Sequence, residues 1–114
     1  MVENNVESVR ENDRYLEAII NRKKRTIPIA SIEYVESRGR KIVLHLGCGE
    51  MIFYSKISDI EEKLVHNGFV RVHQSCMVRM DDISKMSRTG IKCGKIEVPV
   101  SRRYYGELRK MVME

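Results

Sequence analysis

The sequence predicts a mostly-β domain with helices at its edges, on three observations. Short apolar runs recur from Tyr15 onward with the period of two that suits a pleated strand, separated by turns that carry glycine. One stretch, 59–67, switches to a helical period behind the capping-box spacing of Ser58 and Glu61. Pro28 and Pro99 stand where an edge strand or a strand end tolerates a residue with no N–H.

The elements follow in order. Residues 1–13 (MVENNVESVREND) are polar and aperiodic and read as a linker or disordered lead-in, so the domain spans 14–114. Strand runs are expected at 15–20, at 25–29 (RTIPI) and at 32–36 (IEYVE). In 41–46, Ile42, Leu44 and Leu46 share one face and Val43 and His45 the other. The Gly47-Cys48-Gly49 turn joins this run to 50–54 as a hairpin. In the helical stretch Ile57, Ile60, Leu64 and Val65 share a face, and Gly68 sits where a helix C-terminal glycine belongs. Strand character returns at 69–72, 76–78 and 83–86. Thr89-Gly90 and Cys93-Gly94 mark turns around Ile91-Lys92. In 95–100, Ile96, Val98 and Val100 share a face; in 102–113, Tyr104, Tyr105, Leu108, Met111 and Val112 keep a helical spacing.

A chain of 114 residues buries about two thirds of its unfolded surface, enough for one modest core. Hydrophobic residues at 42% and charged residues at 32% suit a soluble globular domain, and aromatics at 6% without Trp make the core aliphatic. No apolar run reaches the length of a membrane span, and no apolar stretch follows a basic start as in a secretory signal, so a cytoplasmic protein away from the membrane is expected. Three cysteines cannot all pair within the chain and read as reduced thiols. The net charge of +5 divides into −3 on residues 1–13 and hence +8 on 14–114, a basic body that suits a polyanion such as nucleic acid. A basic β-rich module that binds an acidic protein partner has the same composition.

Enzyme chemistry finds no foothold. His73, Ser75 and Asp81 or Asp82 hold the residue types of a hydrolytic triad, but no nucleophile-elbow motif surrounds them. The GCGE turn lacks the length and the Lys-Ser/Thr of a phosphate loop. His45 and Cys48 have ligand spacing without a second pair to complete a metal site, so neither a metal nor another cofactor is expected. Arg10 and Arg14 match the R-x-x-x-R of cyclic-dinucleotide barrels, but the D/N-x-S-x-x-G that should follow is missing.

The cations gather at turns. Arg38, Arg40 and Lys41 stand in SRGRK, four cations in NRKKR, Arg71 and Arg79 around His73-Gln74-Ser75, and Arg102 and Arg103 after VPVS. Long cationic stems, hydroxyls and amides suit phosphates, whereas Arg and Gln match guanine and adenine edges. Turns also attract charge because they are solvated. On residues alone that plainer reading holds for NRKKR, HQS and SRR, and stands level with the phosphate reading for SRGRK.

The order of segments adds to this. Ile32, Tyr34 and Glu36, then Ile57, Ile60, Glu61 and Leu64, are followed by Phe69, Arg71, Val72, His73, Ser75, Val78 and Ile83 and closed by Val98, Pro99, Val100, Ser101 and Arg102. Over about 15–110 this pattern resembles the LytTR DNA-binding domain, whose F-x-R-V-H-x-S segment and downstream P-V-S-R are specific. One departure is Arg79, where the family usually has Asn. The resemblance implies about ten short strands in stacked antiparallel sheets with a short helix, and DNA read by loops. It implies loop side chains in successive major grooves with a middle contact over the intervening minor groove. By position, Arg40 is nearest the first base-reading place, with Arg38 and Lys41 beside it; Gln74 is the middle contact, next to His73 and Ser75; Arg102 is the last, with Ser101 and Arg103 adjoining. Arg40 and Arg102 suit guanine O6 and N7, whereas Gln74 is short for deep readout and suits a phosphate or a minor-groove acceptor. The resemblance also implies the output half of a bacterial two-component response regulator, a homodimer on paired sites in double-stranded DNA, and an upstream receiver domain that does not fit within these 114 residues.

Overall fold

In the computed structural model, which describes residues 13–113, the period-two runs pair into three antiparallel sheets. Strands β1 (Tyr15–Ile20) and β2 (Lys23–Pro28) form a hairpin, and a single 3-10 turn at Ile29–Ser31 leads out of it. The central sheet has five strands: β3 (Ile32–Arg38), β4 (Lys41–Leu46), β5 (Gly49–Tyr54), β6 (Phe69–His73) and β7 (Cys76–Arg79), in the order β5-β4-β3-β7-β6. Helix α1 (Ile57–Val65) connects β5 to β6. A second 3-10 turn, Met80–Asp82, leads to β8 (Ile83–Met86), β9 (Gly90–Cys93) and β10 (Ile96–Pro99), a meander in the order β10-β9-β8, and α2 (Arg102–Met113) closes the chain. Residues 1–12 of the lead-in lie outside the described residues.

The central sheet is covered on both faces. Val35, Ile42, Leu44, Phe53, Phe69 and Met77 join Leu16, Ala18 and Ile27 of the hairpin and Ile57 and Leu64 of α1 in one core. Val70, Val72, Cys76 and Val78 point the other way, onto Ile91, Cys93, Val98 and Val100 and onto Leu108 of α2. Two-sided burial explains why β7 reads Cys-Met-Val without a polar alternate. The faces of β4 fall as the alternation predicts, with Ile42 and Leu44 in the first core and Leu46 packed against it. Ile96, Val98 and Val100 share the second core, as their spacing requires.

Two expectations change. Helix α1 starts at Ile57, not Asp59, and ends at Val65: the buried Ile57 and Leu64 anchor its core face, which draws Ser58 inside the helix, and Lys56 caps it without a side-chain bond. Its C-terminus keeps the predicted glycine, Gly68 at φ 88°, and Asn67 donates to the carbonyls of Lys63 (2.8 Å) and Asp13 (2.6 Å). Second, Gly90 and Cys93, expected in turns, join Ile91 and Lys92 in a strand whose turns lie just outside it. Four residues are too few for a period to show, and β9 exists because β8 and β10 pair with it on both sides. Arg79, the departure from the family pattern, turns inward. Its Nε donates to Ile32 O (2.9 Å), its second amino nitrogen to Ile29 O (2.7 Å), and its guanidinium lies 4.6 Å from the Phe69 ring centre.

The thiols differ in environment. Cys48 is exposed, whereas Cys76 and Cys93 are buried. Burial pushes the Cys76 thiol up to about 12 and the Cys93 thiol up to about 11. The thiolate is the reactive form. A thiol reagent near neutral pH should therefore label Cys48 alone in the folded chain and all three cysteines after unfolding. Rapid labelling of a second thiol in the native state would show that the second core opens more easily than its packing implies.

Candidate nucleic-acid interface

Three connections meet at one edge of the central sheet. The β3–β4 turn is Gly39-Arg40, with Gly39 in the left-handed conformation (φ 63°) that a tight hairpin needs. The β6–β7 turn is Gln74-Ser75. Because β3 and β7 are neighbours, these turns lie side by side, and Ser37 N donates to Ser75 O (2.9 Å). The third connection is Val100-Ser101, and Ser101 N donates to Val72 O (3.0 Å), one residue before His73. Strand order thus sets Arg40, Gln74 and Arg102 in a row, with Gln74 in the middle.

The side chains in this row differ. Arg40 is exposed in its turn. Arg38, also exposed, is drawn back onto Glu36 Oε1 at 2.5 Å, so part of its charge is spent inside the fold. Glu36 also meets His45 Nε2 (3.0 Å), and the His45 ring stacks on Tyr34 at 3.9 Å. Burial raises the Glu36 carboxyl, but the hydrogen bonds from His45 and Arg38 outweigh it and hold it below the usual value. His45 Nδ1 lies 3.4 Å from a Glu50 carboxylate oxygen. Lys41 lies with its ammonium 5.3 Å from the Tyr54 ring centre. Gln74 is exposed. His73 Nδ1 accepts from Ser75 N (3.1 Å) and meets Ser75 Oγ (3.0 Å), so in the neutral ring Nε2 carries the proton.

Arg102 and Arg103 are exposed in the first turn of α2, where Ser101 O accepts from Tyr104 N and Tyr105 N, both at 3.1 Å. Arg102 therefore follows the strand end, as its place after VPVS suggests, and also opens a helix. The helix N-terminus brings its free N–H groups and positive dipole end to the same edge. Ser101 Oγ is buried and has no partner among the described residues, so Ser101 meets the row through its backbone.

Sequence reasoning missed two residues at this edge, Lys56 and Arg88, and the role of a third, Arg71. Arg71 braces the middle turn: its guanidinium donates to His73 O (2.9 Å), Gln74 O (2.6 Å) and Glu61 of α1 (2.5 Å), and lies 5.5 Å from the Tyr104 ring centre. Its place in F-x-R-V-H-x-S was a signal for importance but not for this role. Lys56 is exposed next to Ser55, whose N donates to Arg40 O (3.2 Å). Arg88 is exposed in the β8–β9 turn, whose Thr89 O accepts from Val100 N (3.3 Å). Lys56 and Arg88 are lone cations in their turns, brought here by pairing that no local pattern encodes. Asp81 and Asp82 follow β7 at its other end, where Met80 N donates to Gly68 O, so the triad imagined with His73 and Ser75 is not assembled.

The model of the LytTr DNA-binding domain family matches residues 22–113. The chain belongs to the LytTR family. A solved structure similar to this LytTR domain is the LytTr DNA-binding domain of a Bacillus cereus protein described as a methyl-accepting/DNA response regulator. The match has a TM-score of 0.70 at 19% identity and covers 87% of this chain and 96% of that one. A search of curated proteins returns no match. The fold is the expected one, mostly β with ten strands in antiparallel sheets and two helices. Strand β1 lies ahead of the family match, and its Leu16 and Ala18 are buried in the first core. No described helix is long and apolar enough to cross a membrane.

Proposed function

We propose that this LytTR domain reads double-stranded DNA by inserting the edge loops into successive grooves, and that it serves as the output domain of a two-component response regulator in the bacterial cytoplasm. The supporting observation is the row itself: Arg40, Gln74 and Arg102 lie in order along one sheet edge, tied by the Ser37–Ser75 and Ser101–Val72 backbone bonds. Arg40 and Arg102 each offer the planar fork that pairs with guanine O6 and N7 in a major groove. Gln74 between them faces the minor groove. Lys41, His73, Ser75 and Arg103 contribute phosphate contacts, and Arg38, held on Glu36, contributes less. Ser101 places Arg102 through its backbone. Two copies bind paired sites as a homodimer, and an upstream receiver domain brings them together.

Selection of bound duplexes from a random pool should return one preferred sequence. Titration of that duplex against salt should give a slope of log affinity on log salt near −4.5, on the premise of about 5 neutralised phosphates per copy. Equal affinity for all duplexes at physiological salt would sink the specific reading, and a slope near zero its electrostatic part.

A further inference from the structure

The run NRKKR reads on its own as a solvated turn, but the fold places it beside the DNA-reading edge. Strand β1 starts at the opposite end of the domain, where Asn67 donates to Asp13 O. It then climbs along β5, and at its upper end a hollow of about 310 Å³ is lined by Ile19 and Lys24 of the hairpin and by Tyr54 and Ser55. Ser55 N donates to Arg40 O, and the Lys41 ammonium lies over the Tyr54 ring. The hairpin tip, Asn21-Arg22, therefore continues the row of loops outward from Arg40. Arg22, Lys23, Lys24 and Arg25 are all exposed. Lys24 is paired with Glu17 at 3.3 Å, which leaves the tip residues as the better contacts.

The backbone of the tip carries a second observation. Asn21 (φ 53°) and Arg22 (φ 67°) are both left-handed, the geometry of a two-residue type I′ hairpin turn. Asn tolerates that conformation, and glycine suits the second position. Arginine there meets a steric cost that glycine avoids. The turn thus holds a guanidinium at its apex at the expense of its own backbone, as strained residues do where function requires them.

We propose that Arg22 and Lys23 form a fourth DNA contact, on the phosphate backbone outside the groove that Arg40 enters. This rests on the reading of the edge loops given above. The hairpin would add affinity without sequence information and would lengthen the bound site on the Arg40 side only.

The experiment compares wild-type chain, Arg22→Gly, Lys23→Ala and Arg102→Ala on the selected duplex and on a scrambled one, across a salt series, with urea unfolding of each. Arg22→Gly should unfold at the same or higher urea than wild type. It should bind both duplexes about fivefold more weakly, the scale of one surface charge contact, with their affinity ratio unchanged and the salt slope shallower by about 1. Lys23→Ala, at a strand position of ordinary backbone, should repeat the affinity loss. Unchanged affinity and slope in both hairpin variants, with discrimination still lost in Arg102→Ala, would make the tip a solvated turn and leave the edge reading intact. A wild-type chain that prefers no duplex counts against the edge reading itself. Selective loss on only the preferred duplex in Arg22→Gly would overturn a backbone role.

Discussion

Arg102→Ala should weaken binding to the preferred duplex by about 1–3 kcal/mol and flatten discrimination at one base pair, while scrambled DNA is bound nearly as before. The residue opens α2 directly after the β10 end, and Ser101 N is bonded to Val72 O, so its Cα is fixed by a strand and a helix together. A fork carried on a rigid base can be aimed at a guanine edge. Lys41→Ala makes the contrast. The ammonium is a compact charge on a flexible stem, so its loss should weaken all sequences alike and lower the salt slope by about 1. Alanine suits the first turn of a helix, and Arg102 is exposed, so the fold should survive. Wild-type binding by Arg102→Ala would mean that the residue only solvates the start of α2, and the last reading loop would have to be placed elsewhere.

Arg79→Ala should lower the unfolding free energy by about 3 kcal/mol. The substitution removes two charge-assisted bonds, to Ile29 O and Ile32 O, and the stacking on Phe69. It takes the side-chain donor from both carbonyls beside the first core, although Ile29 O keeps the Ile32 N–H, and a bond to a charged donor is worth about 1.5–3 kcal/mol. Arg79→Lys should recover less than half, because one ammonium has no planar fork to span two carbonyls. Urea unfolding measures both. DNA affinity of the molecules that remain folded should be unchanged, since Arg79 ends β7 away from the turn at Gln74. A loss below about 1 kcal/mol would mean that water replaces the guanidinium at these carbonyls, and that β7 is not tied to the Ile29 turn through it.

Much of the candidate row was legible in the chain. The F-x-R-V-H-x-S segment and P-V-S-R picked out His73, Gln74, Ser75 and Arg102, and clustered cations picked out Arg40 and Lys41. Lys56, Arg88 and Arg71 were not legible as parts of one edge. A lone cation carries no local pattern, and Arg71 acts through the carbonyls of a turn two and three residues on, a geometry that exists only after β6 and β7 pair. The plain reading of NRKKR treats the turn in isolation, whereas the fold packs its hairpin beside Tyr54 and Ser55.

By itself the sequence determined the mostly-β class, the faces of β4 and β10, the C-terminal helix and the glycine that ends α1. These follow from side-chain period and backbone sterics, which act over a few residues. Only the tertiary structure decided where α1 begins, that residues 90–93 form a strand, and that Arg79 turns inward. It also decided that three separate connections share one edge. Burial of Ile57, pairing of β9 on both sides and the β3–β7 register are contacts between segments far apart in the chain, and no local pattern contains them.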